Sequence, residues 1–353
     1  MMDRKKVRKI KTNLSLLTAF SLGVFVTFQP THAFAASPVP KVMNFVTEAI
    51  GGGAYTIATG VAAVLSGHLP TEVKVVPTTG PNEVLPMFVS GEADMTAQNS
   101  WNNWEGWRCG PTFKKALRGK RAPIRILTAG SPNINSVIVA VDSGIRTGKD
   151  LKGKKFVGVI AGSPAITNQA HAALAHFGLT PDDVRMISVP SVGAGLKAII
   201  EGRADALGSA IIGMGAIVEL DAKRGARFLS VDPSWEAVER YRAIFPAVPV
   251  KVEPRKGLAG VRESIHMMQY GYYLVGRKDF NDETAYQIVK TLWDYNEQLK
   301  GMSARLKNWS RERFIDKDAI IPYHPGAIKF YKEKDLWSSG MDSLQEKLVG
   351  LEK

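Results

Sequence analysis

A single cysteine, Cys109, stands in 353 residues. It excludes an internal disulfide and any metal cluster built on cysteine. Histidine is scarce as well, with six in the chain. His171 and His176 lie five apart, the wrong helical spacing for shared metal ligation, and no His-Glu-x-x-His occurs. There is also no Gly-x-Ser-x-Gly elbow and no phosphate-binding nucleotide loop. Neither an enzyme, a metal nor a cofactor is expected, and site residues of a catalytic kind are absent. The formal charge is +13, but the bases are scattered and carry no nucleic-acid motif, so nucleic acid is not expected as a partner. Beyond residue 35 no apolar run is long enough to span a bilayer.

What is present begins with a targeting pattern. Arg4, Lys5, Lys6, Arg8, Lys9 and Lys11 precede an apolar run from Leu14 to Phe28, and Ala33-Phe34-Ala35 offers a small-x-small cleavage site. This order predicts a signal peptide over residues 1–35 and an exported, periplasmic mature chain. Six of the bases and one acid fall in that segment, so the remainder keeps an excess of eight positive charges. A chain that long without disulfides needs a large apolar core, and two domains are expected.

The remainder alternates strand and helix signals, which predicts an α/β fold with mostly parallel sheets. Strands are expected over 42–47, 73–76, 93–97, 137–141, 155–160, 185–189 and 268–276. Thr180-Pro181-Asp182-Asp183 reads as a strong helix start, with a cap, a first-turn proline and two acids. Asn82 reads as another cap, with Pro86 in the first turn of its helix. The Pro- and Gly-rich stretch 248–260 reads as a connection, and 282–299 as one long helix.

Ser90-Gly91-Glu92-Ala93-Asp94 is echoed by Glu201-Gly202-Arg203-Ala204-Asp205. Each follows an amphipathic helix and leads into a short strand, which predicts two similarly wound lobes. In such folds ligands sit beyond the carboxyl ends of the strands, near helix N-termini whose N–H groups favour anions. The loop Gly51-Gly52-Gly53-Ala54-Tyr55 has that placement. Glycine admits close approach of a ligand, and Tyr55 adds a hydroxyl and a flat face; a plain tight turn explains the same glycines.

An ordered set of motifs then spans the chain from about 40 to 340. It runs from Gly52-Gly53-Ala54-Tyr55 and Ser90-Gly91-Glu92-Ala93-Asp94 through Val141-Asp142-Ser143-Gly144-Ile145, Gly162-Ser163 and Gly178-Leu179-Thr180-Pro181 to Pro322-Tyr323-His324-Pro325-Gly326-Ala327. This set resembles the TAXI family, the solute receptors of a class of TRAP transporters. The resemblance implies a two-lobed type II periplasmic binding protein with a ligand cleft between lobes joined by crossing strands. It divides the mature chain into lobe 1 over 36–132, lobe 2 over 133–255, and a return to lobe 1 over 256–353. It further implies a monomer that captures a small polar or anionic solute, carboxylate or amino-acid-like, and delivers it to a TRAP permease. A sensor feeding a membrane receptor kinase would use the same fold. The site residues implied are Gly53, Ala54, Tyr55, Asn99, Ser100, Asn133, Ser163 and Ser209. Several depart from the family pattern. Asn99-Ser100 stands for Gln-Ser, Ser163-Pro164-Ala165 for Ser-Gly-Thr, and Ser131-Pro132-Asn133 for Tyr-Pro-Glu. These changes cluster where the ligand is expected.

Trp101, Trp104 and Trp107 recur every third residue. On a helix that spacing drifts by about 60° per step, so the three cannot all face one small ligand. Trp101, beside Asn99 and Ser100, is assigned to the cleft wall; Trp104 and Trp107 are assigned to packing.

Overall fold

A computed structural model describes residues 39–48, 50, 53–161, 163–303 and 305–352. The expected signal peptide and the glycines at 51 and 52 lie outside the described residues. Among the described residues no helix is long and apolar enough to cross a membrane.

The first lobe is built on strands β1 (Val42–Thr47), β2 (Glu72–Pro77), β3 (Met95–Asn99) and β4 (Ile124–Ala129). The second carries β5 (Asn133–Ala140), β6 (Lys155–Ile160), β7 (Arg185–Val189), β8 (Ala206–Ile211), β9 (Ala226–Phe228), β10 (Val248–Val252) and β11 (Ile265–Tyr270). Strand β12 (Tyr272–Arg277) returns to the first sheet, whose order is β2-β1-β3-β12-β4. The second sheet runs β10-β11-β5-β8-β6-β7, with β9 also on β5. The chain thus crosses between sheets twice, at 130–132 and at Gly271. The crossing strands run antiparallel side by side, with Tyr270 opposite Asn133 and Tyr273 opposite Ala129. They form a four-strand ribbon that ties the lobes together.

Helices α1 (Gly53–His68), α2 (Pro81–Ser90) and α3 (Ser100–Arg108) flank the first sheet, and α4 (Pro164–His176), α5 (Val192–Ile200), α6 (Gly215–Arg224) and α7 (Trp235–Arg242) flank the second. The C-terminal part supplies α8 (Asp282–Asp294), α9 (Asn296–Gly301), α10 (Pro325–Glu333) and α11 (Ser339–Gly350). Buried side chains form one large core that runs from the first lobe to the α4–α7 side of the second, where Phe156, Leu174, Tyr241 and Phe245 lie. A smaller core, with Leu196, Ile199, Leu207 and Leu220, fills the α5–α6 side.

The echoed motifs do matching work. Gly91 and Gly202 leave their helices with φ of 83° and 72°, in the left-handed region that favours glycine. Ala93 and Ala204 follow, both buried. Asp94 Oδ2 then accepts the backbone N–H of Asn44 at 2.7 Å, and Asp205 Oδ2 that of Lys155 at 2.8 Å. Each aspartate fastens its strand to the first parallel strand of its lobe.

Several local expectations are corrected. Thr180–Asp183 forms its capping box but only a 3-10 turn, because Val184 is already extended toward β7. Helix α2 starts at Pro81 after Gly80, with no side-chain cap, so Pro86 sits inside it. The stretch expected as a connection holds β10, paired antiparallel with β11. The expected strand 268–276 is two strands broken at Gly271, where the ribbon changes sheet. The expected long helix ends at Asp294, and α9 resumes after Tyr295, whose φ of −100° and ψ of 28° leave helical geometry.

Candidate functional site

The site forms where α1 begins beside the crossing ribbon. Gly53 opens α1, whose first turn carries no acid. A Cβ at Gly53 would lie 3.4 Å from Nε of Arg305, so glycine lets the guanidinium come against the helix start. Arg305 Nη2 donates to Oδ1 of Asn133 at 3.1 Å, and its guanidinium lies 5.2 Å from the ring centre of Tyr272. Among the described residues Arg305 enters no ion pair. A half-buried guanidinium with five donors and one modest acceptor is poorly satisfied as it stands. Glu48, at the end of β1, is held back from ionising by burial.

Asn133 and Asn135 project from the same face of β5. Asn135 Nδ2 donates to Oε1 of Gln169 at 3.0 Å and to Oγ of Ser209 at 2.7 Å. Ser209 Oγ donates to the same Gln169 oxygen at 2.6 Å. Gly208 makes this possible, since a Cβ there would fall 2.4 Å from that of Ala170 and prevent α4 from approaching β8. Gln169 Nε2 and Asn135 Oδ1 are buried without a hydrogen bond. Beside them lies Tyr270, whose hydroxyl burial pushes above its usual range, so it stays protonated.

The structure therefore brings Gly53, Asn133 and Ser209 to one region, with Ala54 buried and Tyr55 half-buried on the first turn of α1. The other expected residues lie apart. Asn99 caps α3, its Oδ1 accepting the N–H of Asn102 at 2.8 Å. Ser100 lines a cavity on the opposite face of the ribbon. Ser163 caps α4 through a long contact of 3.5 Å to the N–H of Ile166. Trp101 is 2 % exposed and stacks on Phe245 of the second lobe, with centroids 5.9 Å apart and an angle of 13°. It packs between lobes rather than opening onto a cavity wall. Trp104 lies under the Arg108 guanidinium at 3.7 Å, and Trp107 Nε1 donates to Glu352 at 2.6 Å.

Arg305, Gln169, Asn135, Tyr270 and Tyr272 were not singled out by sequence. Arg305 sits in Met302-Ser303-Ala304-Arg305-Leu306-Lys307, a polar stretch with no motif, where a lone arginine reads as solvated. One signal was available for the tyrosines: the i, i+2 pair flanking Gly271 in an apolar strand.

The architecture is that of periplasmic solute-binding proteins. A family model described as the NMT1-like family matches residues 45–334. The chain belongs to the NMT1-like family. Among solved structures it is similar to the periplasmic sulfonate-binding protein SsuA from Methylobacillus flagellatus, with TM-score 0.50, 14% identity, and 84% and 95% of the two chains covered. It is also similar to PhnD1 from Prochlorococcus marinus in complex with methylphosphonate, with TM-score 0.49, 13% identity, and 84% and 99% covered. A third is the periplasmic aliphatic sulphonate binding protein SsuA from Escherichia coli, with TM-score 0.43, 14% identity, and 88% and 86% covered. The family match corrects the resemblance to the TAXI family. The family found is the NMT1-like one, so membership of the TAXI family and delivery to a TRAP permease are withdrawn.

Proposed function

We propose that the protein is a periplasmic solute receptor that captures a small oxyanion, of the sulfonate or phosphonate kind, and passes it to a membrane transporter without chemical turnover. One observation carries the reading: the guanidinium of Arg305, with no ion pair among the described residues, stands at the start of α1 against the ribbon. A planar fork of donors matches an oxyanion in two-point contact. The positive end of the α1 dipole adds a favourable field. Neutral donors from Tyr270 and Gln169 border the region without adding charge, so one negative group is matched rather than two. The sulfonate-binding neighbour of the same fold sets the class to test first, and its ABC transporter sets the kind of permease to test first.

Capture by lobe closure requires only that the solute bind the closed form better than the open one. The test is calorimetric titration of alkanesulfonates, alkylphosphonates and carboxylates into the wild type and Arg305→Ala. Binding of one class that falls at least a hundredfold in the variant supports the reading. Equal affinity in both proteins overturns it. A carboxylate that outbinds every sulfonate and phosphonate keeps the anion site but changes the solute.

A further inference from the structure

On the face of the ribbon away from Arg305, a cavity of about 210 Å³ opens between the lobes. Tyr272 points to Arg305, whereas Gly271 and Tyr273 face Asp316: a Cβ at Gly271 would lie 2.9 Å from Asp316 Oδ2, and the Tyr273 hydroxyl donates to that oxygen at 2.8 Å. The walls come from both lobes, with Ser100 and the 312–320 segment on one side and Arg242 and Gln269 on the other.

We infer that this hinge cavity is a second ligand site, for a small inorganic or organic oxyanion. Its cations are Arg242, Arg313 and Lys317. Arg313 and Lys317 enter no ion pair among the described residues, and Arg242 reaches only Glu239, at 3.4 Å. Ser100 is 2 % exposed and lines the cavity. Three acids share the wall, Glu312, Asp316 and Asp318. Asp316 is turned inward: its oxygens accept from Tyr273 and from the backbone N–H of Asp318, and burial pushes its carboxyl up toward the neutral form. Glu312 and Asp318 are exposed and face water. The cavity is smaller than the roughly 300–1,000 Å³ of drug-sized sites, which restricts it to a compact ligand.

This site is independent of the proposed one at Arg305, and both can be probed with the same anions. Sulfate and phosphate are titrated by calorimetry into the wild type, Arg305→Ala, the double variant Arg313→Ala/Lys317→Ala, and Ser100→Ala. Arg313 and Lys317 are exposed, so the double variant should fold, and its melting curve verifies this. The inference expects an anion-binding event that persists in Arg305→Ala and weakens at least tenfold in the double variant, with a smaller loss in Ser100→Ala. Binding that disappears in Arg305→Ala and is unchanged in the double variant overturns the hinge site and leaves the first intact. Binding lost only in the double variant sustains the hinge site and counts against Arg305. No binding of either anion to the wild type overturns the inference.

Discussion

The turns at Gly91–Asp94 and Gly202–Asp205 are near copies, one in each lobe. Both use a left-handed glycine, a buried alanine and an aspartate that accepts a backbone N–H of a neighbouring strand. What the lobes bring to the ribbon differs sharply. The first contributes an arginine without a counter-ion among the described residues; the second contributes an amide–hydroxyl cluster of Asn135, Gln169 and Ser209 with no formal charge. The repeated parts maintain the fold, and in the proposed function the parts that differ carry the recognition. If so, damage to the repeats should register as stability and damage to the differing parts as affinity.

The largest effect is expected at Arg305. Removing it should cost a hundredfold or more in anion affinity with little change in melting temperature, since the side chain is half-buried and, among the described residues, enters no ion pair. Gln169→Ala, in the other lobe, should do less to affinity, about tenfold, and more to stability. It leaves the Ser209 hydroxyl proton without its acceptor in the interior, at about 1–3 kcal/mol, and takes one of two acceptors from Asn135 Nδ2. Equal effects of the two on affinity would erase the contrast between a charged and a neutral lobe.

The repeats come next. Asp94→Ala and Asp205→Ala each leave a strand N–H without its partner, and each should destabilise by about 1–3 kcal/mol. Asp94 also lies 3.7 Å from Arg277, so its loss should be the larger. Chemical denaturation of the two variants measures the difference. An affinity change in either, at temperatures where both are folded, would give the repeats a role in recognition.

These contrasts explain what was readable in the sequence. The α/β alternation and the twin motifs were legible because they follow local rules: a glycine at a positive φ, an alanine that packs, a strand period of two. Gly53, Asn133 and Ser209 were reached through resemblance, not spacing. Arg305 was invisible because its significance is non-local. It lies 252 residues from Gly53 and 172 from Asn133, and only the ribbon brings them together. Trp101 was adjacent in sequence to the expected contacts, yet adjacency says nothing about which face of the ribbon a helix start meets. Thr180–Asp183 had complete start signals but no apolar period after them, so a capping box closed a turn instead of a helix.

Acid should separate the lobes again, by smaller amounts. His176, between α4 and α7, is satisfied as the neutral ring. Nδ1 donates to Ala237 O at 2.9 Å, and Nε2 accepts the N–H of Asp232 at 2.9 Å. Burial lowers its pKa. The unfolded imidazole, near 6.5, takes a proton first, so the stability it lends is present above that pH and is lost as pH falls below it. Glu352 ties the C-terminus to the first lobe. Burial opposes its charge, but hydrogen bonds from Arg125, Lys278 and Trp107 outweigh that and hold its carboxyl at about 2. Its contribution is present above its ordinary 4.5 and is lost as pH falls toward about 2. Amide exchange should therefore show the second lobe loosening from about pH 6.5 downward while the C-terminal tie persists. His176→Gln should flatten the first loss and Glu352→Gln the second. A single loss common to both lobes would mean that they unfold as one unit.

The smallest expected difference lies in the helix caps. Asn99 caps α3 in the first lobe at 2.8 Å; Ser163 caps α4 in the second at 3.5 Å, the outer limit of a hydrogen bond. Asn99→Ala should cost about 1 kcal/mol and Ser163→Ala a few tenths of that, because a cap that is barely made has little to lose. The affinity of Ser163→Ala is the sharper readout. With the cap so weak, the hydroxyl is nearly free to serve a solute. If anion binding falls tenfold while the melting temperature holds, the solute reaches from Arg305 across to α4, and the second lobe contributes a helix start as well as amides. If binding holds, Ser163 belongs with the parts that maintain the fold, and recognition is confined to Arg305 and the ribbon.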